Sequence, residues 1–306
     1  LAQNQIIGTC LLSNIGRLEV PLPPDFTLEN VGFDDVVTDN STDQAIRRGL
    51  LFSNSTDKDS QCKTQFSFAA LLAINYLEKQ GITYNLTKSQ ELQIGKTLFP
   101  RLDKNAGSYE DTDAYGYQIL LNYRHPNHLA IQVTLTEVLT DQVNPNWVQD
   151  RLVIIGTTAN SLHPGFYTPY SSLSDQPARI PRIFIHAQIA SQIMTMVLDG
   201  RPLMYYWPDW AELLWIWSCS LVGAVLAWQW PHPLVFLLVE GFIFVGLVGI
   251  TAGFYLQAIW ITLFVPALGL VFISFAVMAY TTYQTQKQNQ TILQQNHTIL
   301  LKLEQQ

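Results

Sequence analysis

Apolar residues follow two regimes along this chain. Up to about residue 208 they come in short runs broken by polar, glycine and proline positions; from Ala211 to Tyr280 they run almost without interruption. In the first regime, Gln5 to Leu12 (QIIGTCLL) and Ala45 to Phe52 (AIRRGLLF) read as strands between polar or proline-rich stretches. Phe66 to Lys79 reads as a mostly buried helix with Gly81 just past its end, and Ser89 to Leu98 as a shorter, exposed helix. Gln118 to Tyr123 reads as a strand, and Thr136 to Leu139 as one short helix. Arg151 to Gly156 (RLVIIG) is a continuous apolar run, of the kind buried on both faces of a parallel sheet. His186 to Leu198 has the helical period, placing Ile185, Ile189, Ile193 and Met196/Val197 on one face, with Gly200 as the residue after the C-cap. Segments 17–30 and 53–65 read as surface loops. Alternating strands and helices predict an α/β layered domain around a mixed or largely parallel sheet.

The second regime predicts membrane spans. Residues 211–228, 234–255 and 258–280 each come near the ~20 apolar residues that a helix needs to cross a bilayer core. Aromatic residues sit where interfaces would fall: Tyr205, Tyr206, Trp207 and Trp210 before the first run, Trp228 and Trp230 after it, Tyr255 and Trp260 around the second turn, and Tyr280 and Tyr283 at the end. An odd number of spans puts residues 1–208 and the tail on opposite sides. Charge does not orient them, because the tail offers only Lys287 and Lys302 and the turns carry no lysine or arginine. Two readings of Glu240 stay open: a functional intramembrane carboxyl, or one paired within the bundle. Pro266 should kink the third helix, while Ala267 and Gly269 would let helices approach closely.

Beyond the spans, residues 284–306 are Gln-rich, yet Thr, Ile and Leu recur at a seven-residue interval from Asn289 to Lys302. Ile292, Leu293, Ile299, Leu300 and Leu303 would line a helical seam with Asn289 and Asn296 as polar seam positions, which suits a parallel homodimeric coiled coil. The alternative is a disordered tail. The pattern is still running at the last residue, so the segment reads as a linker helix once leading to a further domain.

Composition sharpens this division. The 306 residues carry a net charge of −7, with 13% charged residues against an average near 25%. Residues 1–208 hold 15 of the 17 lysines and arginines and 20 of the 24 acids, whereas Glu212 and Glu240 are the only charges between Asp209 and Lys287. Without a basic patch, nucleic acid is not an expected partner; the membrane is. The start at Leu1 shows no basic segment followed by an apolar core, so it reads as an excised piece rather than a signal peptide. Among the three cysteines, Cys219 lies within an apolar run, and Cys10 and Cys62 could bridge outside the cytoplasm.

Candidate chemistry is sparse. There is no G-x-x-x-x-G-K-[ST] or G-x-G-x-x-G phosphate loop and no G-x-S-x-G nucleophile elbow. His125 and His128 lie three apart, but Pro126 breaks any helix that would pair them on a metal. No catalytic residue, metal ligand or cofactor is therefore assigned. A ligand crevice would fall at the end of the Arg151–Gly156 strand, lined by Gly156, Thr157 and Thr158 and by His186 at the helix start, with Arg47 contributing charge. His186 could equally be a hydrogen-bonded residue of a helix-start turn. Arg47 and Arg48 could grip an anion, or satisfy a buried carboxylate such as Asp43.

The ordered set VGFDD (31–35), DQAIRR (43–48), ILLNYR (119–124), TEVLTD (136–141), RLVIIGTTA (151–159), TPYSS (168–172) and IPRIFIHAQIASQIM (180–194) ending at DGRP (199–202) resembles the type-two CHASE domain, an extracytoplasmic sensor of bacterial receptors. The resemblance covers most of residues 1–285. It implies a receptor input module with residues 1–208 outside, 209–283 in the membrane, and 284–306 as a cytoplasmic linker toward a cyclase or kinase output. Two departures stand out. The family commonly has Asp-Gly before the arginine pair, where this chain has Asp43-Gln44, and an acid before the Thr-Pro segment, where it has His163-Pro164-Gly165. The expected function is a non-catalytic sensor of an unknown signal; the competing expectation is an adaptor whose outer domain holds a protein partner.

Overall fold

The structure, a computed structural model, describes residues 6–12, 19–39, 44–53, 60–125, 129–159, 161, 165–171, 179–230 and 232–304. The chain divides into two compact units, one of residues 1–104 and 110–204, the other of 105–109 and 205–306.

The first unit is mixed α/β with small sheets. Strand β1 (Gly8–Cys10) pairs in parallel with β2 (Val31–Phe33). Gly32 is required in β2, because a Cβ there would lie 2.5 Å from the Phe68 Cα. Its absence lets the first turn of α1 (Phe68–Glu78) sit directly on the strand. Ser67 caps α1 through its hydroxyl, which accepts from Ala70 N at 3.2 Å, and Ala69 to Ile74 and Leu77 are buried. A Cys10–Cys62 disulfide joins β1 to the segment ahead of α1, within a small core that includes Val31, Phe33 and Leu50.

Strand β3 (Arg48–Phe52) pairs antiparallel with β7 (Tyr117–Leu120), with an irregularity between Leu50 and Phe52. Between them in sequence lies a meander of β4 (Tyr84–Leu86), β5 (Leu92–Ile94) and β6 (Thr97–Phe99). The helix expected over Ser89–Leu98 is thus a hairpin. Leu92 and Ile94 alternate inward with period two, and Gly95 at φ +58° makes a two-residue turn between Ile94 and Thr97. Tyr117 binds this hairpin to β7: its hydroxyl accepts from Leu92 N at 2.7 Å and donates to Phe99 O.

Helix α2 (Leu135–Leu139) is held by a capping box between Thr134 and Glu137. Helix α3 (Arg182–Leu198) lays Ile185, Ile189 and Ile193 into the main core beside Ile46, Leu51, Leu77, Phe99 and Ile119. It ends at Asp199, with Gly200 left-handed at φ +66°. The strand expected over Arg151–Gly156 is not formed. That segment pairs with no strand among the described residues; Leu152 and Ile154 are half-buried while Ile155 is 93% exposed, so a continuous apolar run concealed a one-sided surface segment.

The second unit contains three helices long and apolar enough to cross a membrane: α4 (Asp209–Gln229), α5 (Pro233–Leu256) and α6 (Phe264–Glu304). Large apolar side chains such as Trp217, Leu238, Phe242 and Phe272 point outward, which suits lipid rather than water. Helices α4 and α6 pack most extensively, through small residues: a Cβ on Gly223 would lie 2.6 Å from Leu270 O, and one on Gly269 2.6 Å from the Ser220 hydroxyl. Glu240 is buried and accepts from the Ser274 hydroxyl at 2.9 Å, the paired reading of that residue.

The third run starts later than its apolarity suggests. Ala258 is left-handed at φ +61°, and β9 (Ile259–Trp260) pairs in parallel with β8 (Tyr205–Tyr206) before α6 begins. Pro266 consequently falls in the first turn of α6, where no backbone N–H is needed, instead of kinking a helix interior. Helix α6 continues through the polar tail to Glu304, leaving Ile292, Leu293, Ile299 and Leu303 exposed.

Candidate functional site

The first turns of α3 carry a polar cluster in the first unit. Pro181 sets the helix start with its fixed φ, so Arg182 and His186, four residues apart, share one face. Both reach Asp34, the residue that follows β2. Arg182 Nη1 donates to Asp34 Oδ2 at 2.7 Å, and His186 Nε2 lies 2.7 Å from Asp34 Oδ1. The second contact has ion-pair distance. His186 is 2% exposed, and its Nδ1 has no hydrogen-bond partner among the described residues. The Phe68 ring meets the imidazole edge-on at 5.5 Å. Burial pushes the Asp34 carboxyl up, but His186 and Arg182 outweigh it and hold the carboxyl below its ordinary value. Its position near the positive end of α3 favours the same ionised form. The carboxylate thereby ties the end of β2 to α3, and Phe68 of α1 packs on the imidazole.

A second network surrounds the arginine pair. Arg48, 1% exposed, donates through Nε to Asp39 Oδ1 at 2.8 Å, through Nη1 to Asp113 O and Gln118 Oε1, and through Nη2 to Thr38 O. Arg47 Nη1 donates to Asp39 Oδ2 at 3.0 Å. The carboxylate serving both arginines is Asp39; Asp43 lies outside the described residues.

The expected crevice residues are only partly gathered. Gly156, Thr157 and Thr158 are exposed, and Gly156 sits over the first turn of α3, where a Cβ would fall 2.7 Å from Ile183 Cδ1. His186 is turned into the Asp34 network and Arg47 is held by Asp39. Since Arg151–Gly156 is not a strand, there is no strand end there to frame a sheet-edge crevice. His128 and His163 lie outside the described residues.

The first unit does hold a small cleft beside α3. It encloses about 180 Å³, with Tyr123, Arg179, Ile180, Phe184 and Gln188 among its lining residues. The Tyr123 hydroxyl donates to Ile46 O at 2.9 Å; burial pushes it well above the ordinary phenol range, although Arg47 acts the other way. Arg179 lies over the Tyr167 ring, 4.9 Å from its centroid.

Gln188 and Gln192 were not singled out from sequence, yet they organise the segment after β7. Gln188 accepts from Arg124 N at 3.0 Å and donates to Arg124 O at 2.7 Å. Gln192 does the same for Asn122 N at 2.9 Å and Leu120 O at 3.0 Å. These amides complete backbone hydrogen bonds as a neighbouring strand would. Their signal was available: two glutamines four apart on the isoleucine face of an amphipathic helix.

A mixed α/β unit followed in sequence by three helices long and apolar enough to cross a membrane has the layout of a membrane receptor input module. The CHASE2 domain family matches residues 2–225, and the chain belongs to that family. Its domain is a sensor rather than a catalyst. No curated protein and no solved structure matches the chain.

Proposed function

We propose that residues 1–208 sense a signal outside the cytoplasm and that α4–α6 relay it to a cytoplasmic output domain, a cyclase or a kinase. The observation that carries this reading is the continuity of α6, which runs unbroken from the apolar Phe264 region to Glu304 in the polar tail. A rigid helix passes rotation or translation at its membrane end to whatever follows it, so two packings of the bundle become two states of the tail. The Cys10–Cys62 disulfide supports an oxidising location for the outer unit. The cleft beside α3 is the place for a small ligand, with Gly156, Thr157, Thr158, His186 and Arg47 as outlying candidates. The active unit is a homodimer joined along the tail.

Single-cysteine labelling of intact cells with a membrane-impermeant reagent tests the topology. Lys88→Cys in the outer unit should label without permeabilisation and Gln290→Cys only after it. Labelling of position 290 alone would overturn the reading.

A second reading, a scaffold holding a protein partner, draws on the exposed apolar side chains of Ile131, Leu135, Leu139 and Ile155. A small molecule that raises the melting temperature of the outer unit favours the sensor, because ligand binding to the folded state stabilises it.

A further inference from the structure

The segment after β7 and the segment after α3 bring two arginines together in a way that folding alone does not account for. Arg201 Nη2 donates to Asn122 O at 2.7 Å and to Asn122 Oδ1 at 3.2 Å, while the Asn122 side chain donates back to Pro202 O at 3.3 Å. Gln192 fixes the Asn122 backbone and Gln188 fixes Arg124 on both sides of its peptide. Arg124 therefore projects from anchored backbone, and the Arg201 backbone is held by its N–H donating to Thr195 O at 3.2 Å.

Each leaves one buried nitrogen unmet among the described residues. Arg124 Nε and Arg201 Nη1 are each buried with no hydrogen-bond partner, and no carboxylate among the described residues forms an ion pair with either. The contrast with Arg48 is direct, since all three of its nitrogens are satisfied within the same unit. Burying a charged N–H without an acceptor costs more than a neutral one, and two like charges side by side add repulsion. Burial first, and then the neighbouring Arg124, press the Arg201 guanidinium down, with Tyr170 acting in the opposite direction. Tyr170 itself stacks edge-on with Tyr123 at 6.5 Å and His125 at 5.5 Å, which walls this side with aromatic rings. A single oxyanion would remove all three costs, because it offers several acceptors and a compensating charge to two forked donors.

We propose that Arg124 and Arg201, with Tyr170 beside them, form a binding site for an oxyanion of the phosphate or sulfate class. The site is separate from the Asp34 network and from the Asp39 pair, and it does not depend on the sensor reading, since it concerns binding and not signalling. Two sources supply this chemistry: a soluble anion, or the phosphate of an anionic lipid headgroup.

The test uses the full chain in phosphatidylcholine nanodiscs with inorganic phosphate as the probe, at constant ionic strength set by chloride. Wild-type protein should bind phosphate saturably, and phosphate should protect Arg124 and Arg201 from phenylglyoxal modification, mapped by mass spectrometry. Arg124→Gln and Arg201→Gln should each weaken binding at least about tenfold, as expected for loss of one charge-assisted partner, while Lys96→Gln, an exposed cation outside the site, should not. The protection arm needs no variant, so it decides the matter even where a substitution unfolds the chain. Protection in phosphatidylglycerol nanodiscs without added phosphate would identify the headgroup as the source; protection only with soluble phosphate would identify the free anion. Absence of saturable binding and of protection in both lipids would overturn the proposal. So would binding that leaves both arginines unprotected, an adventitious ion only.

Discussion

Asp34 meets His186 at 2.7 Å, joining the residue after β2 to the second turn of α3. Its other oxygen takes Arg182 at the same distance, so the carboxylate is shared between a permanent cation and a titratable one. Both partners come from the IPRIFIHAQ segment and the carboxylate from VGFDD, two of the motifs that carry the family resemblance.

Asp34→Asn should lower stability by about 1–2 kcal/mol at neutral pH, a figure reduced for the partial exposure of Asp34 and Arg182. The sign with pH follows from the depressed carboxyl. A lowered folded-state value means that the contribution is fully present above the unfolded value of about 4 and is lost as pH falls through the folded one. Denaturation of wild type and variant across that acidic range should show the gap closing as pH falls. A gap that widens instead would contradict the assignment.

The Asp39 network should be more sensitive. Asp39→Ala leaves the buried Arg48 Nε without its carboxylate, and removing one partner of a buried pair costs about 3–5 kcal/mol. Arg47→Gln removes a contact on a side chain that is 36% exposed, and should change stability by under about 1 kcal/mol. Urea midpoints of the two variants check the ordering; equal effects would show that Arg48 does not need Asp39.

Much of the fold was legible because its signals were local. The Phe66–Lys79 and His186–Leu198 helices follow from periodicity and from Gly81 and Gly200, which take left-handed φ of +79° and +66°. The three spans follow from length and apolarity alone. What failed was non-local. RLVIIG reads as a buried strand only if a neighbouring strand exists, and none among the described residues pairs with it. The Ser89–Leu98 hairpin is hidden because its two strands are three residues each, too short for their alternation to stand out, and the turn between them carries a single glycine, Gly95. The site was harder still. Asp34 and Asp39 finding Arg182 and Arg48, or Gln188 clamping Arg124, are matters of tertiary placement that residue type and spacing do not encode.

The tail seam makes a prediction about assembly. Ile292, Leu293, Ile299 and Leu303 are exposed on a helix that continues from the membrane, and two chains entering from one membrane face are held parallel and close. Two heptads alone are marginal in water, so the spans must supply the proximity. With Cys219 replaced by Ala, Leu293→Cys should form a disulfide-linked dimer in native membranes, whereas Gln290→Cys, off the seam, should cross-link less. Cross-linking at 290 with none at 293 would place the seam on the wrong face.

Gln44 offers a test in which backbone conformation alone is at stake. It stands where the family commonly has glycine, and it is held at φ +48°, in the left-handed region. An L side chain pays about 1–2 kcal/mol there, which glycine avoids, while glycine's freer unfolded chain returns about 0.5–1 kcal/mol of that gain. Gln44→Gly should therefore stabilise the outer unit modestly, by about 0.5–1 kcal/mol. Gln44→Val should destabilise it, because a β-branched side chain is the least suited to positive φ. The side chain is exposed, so neither substitution removes a packed contact. Chemical denaturation of the three proteins should rank them glycine, glutamine, valine in falling midpoint. A glycine variant less stable than wild type would mean that the Gln44 side chain, not the left-handed backbone, governs this turn ahead of the arginine pair.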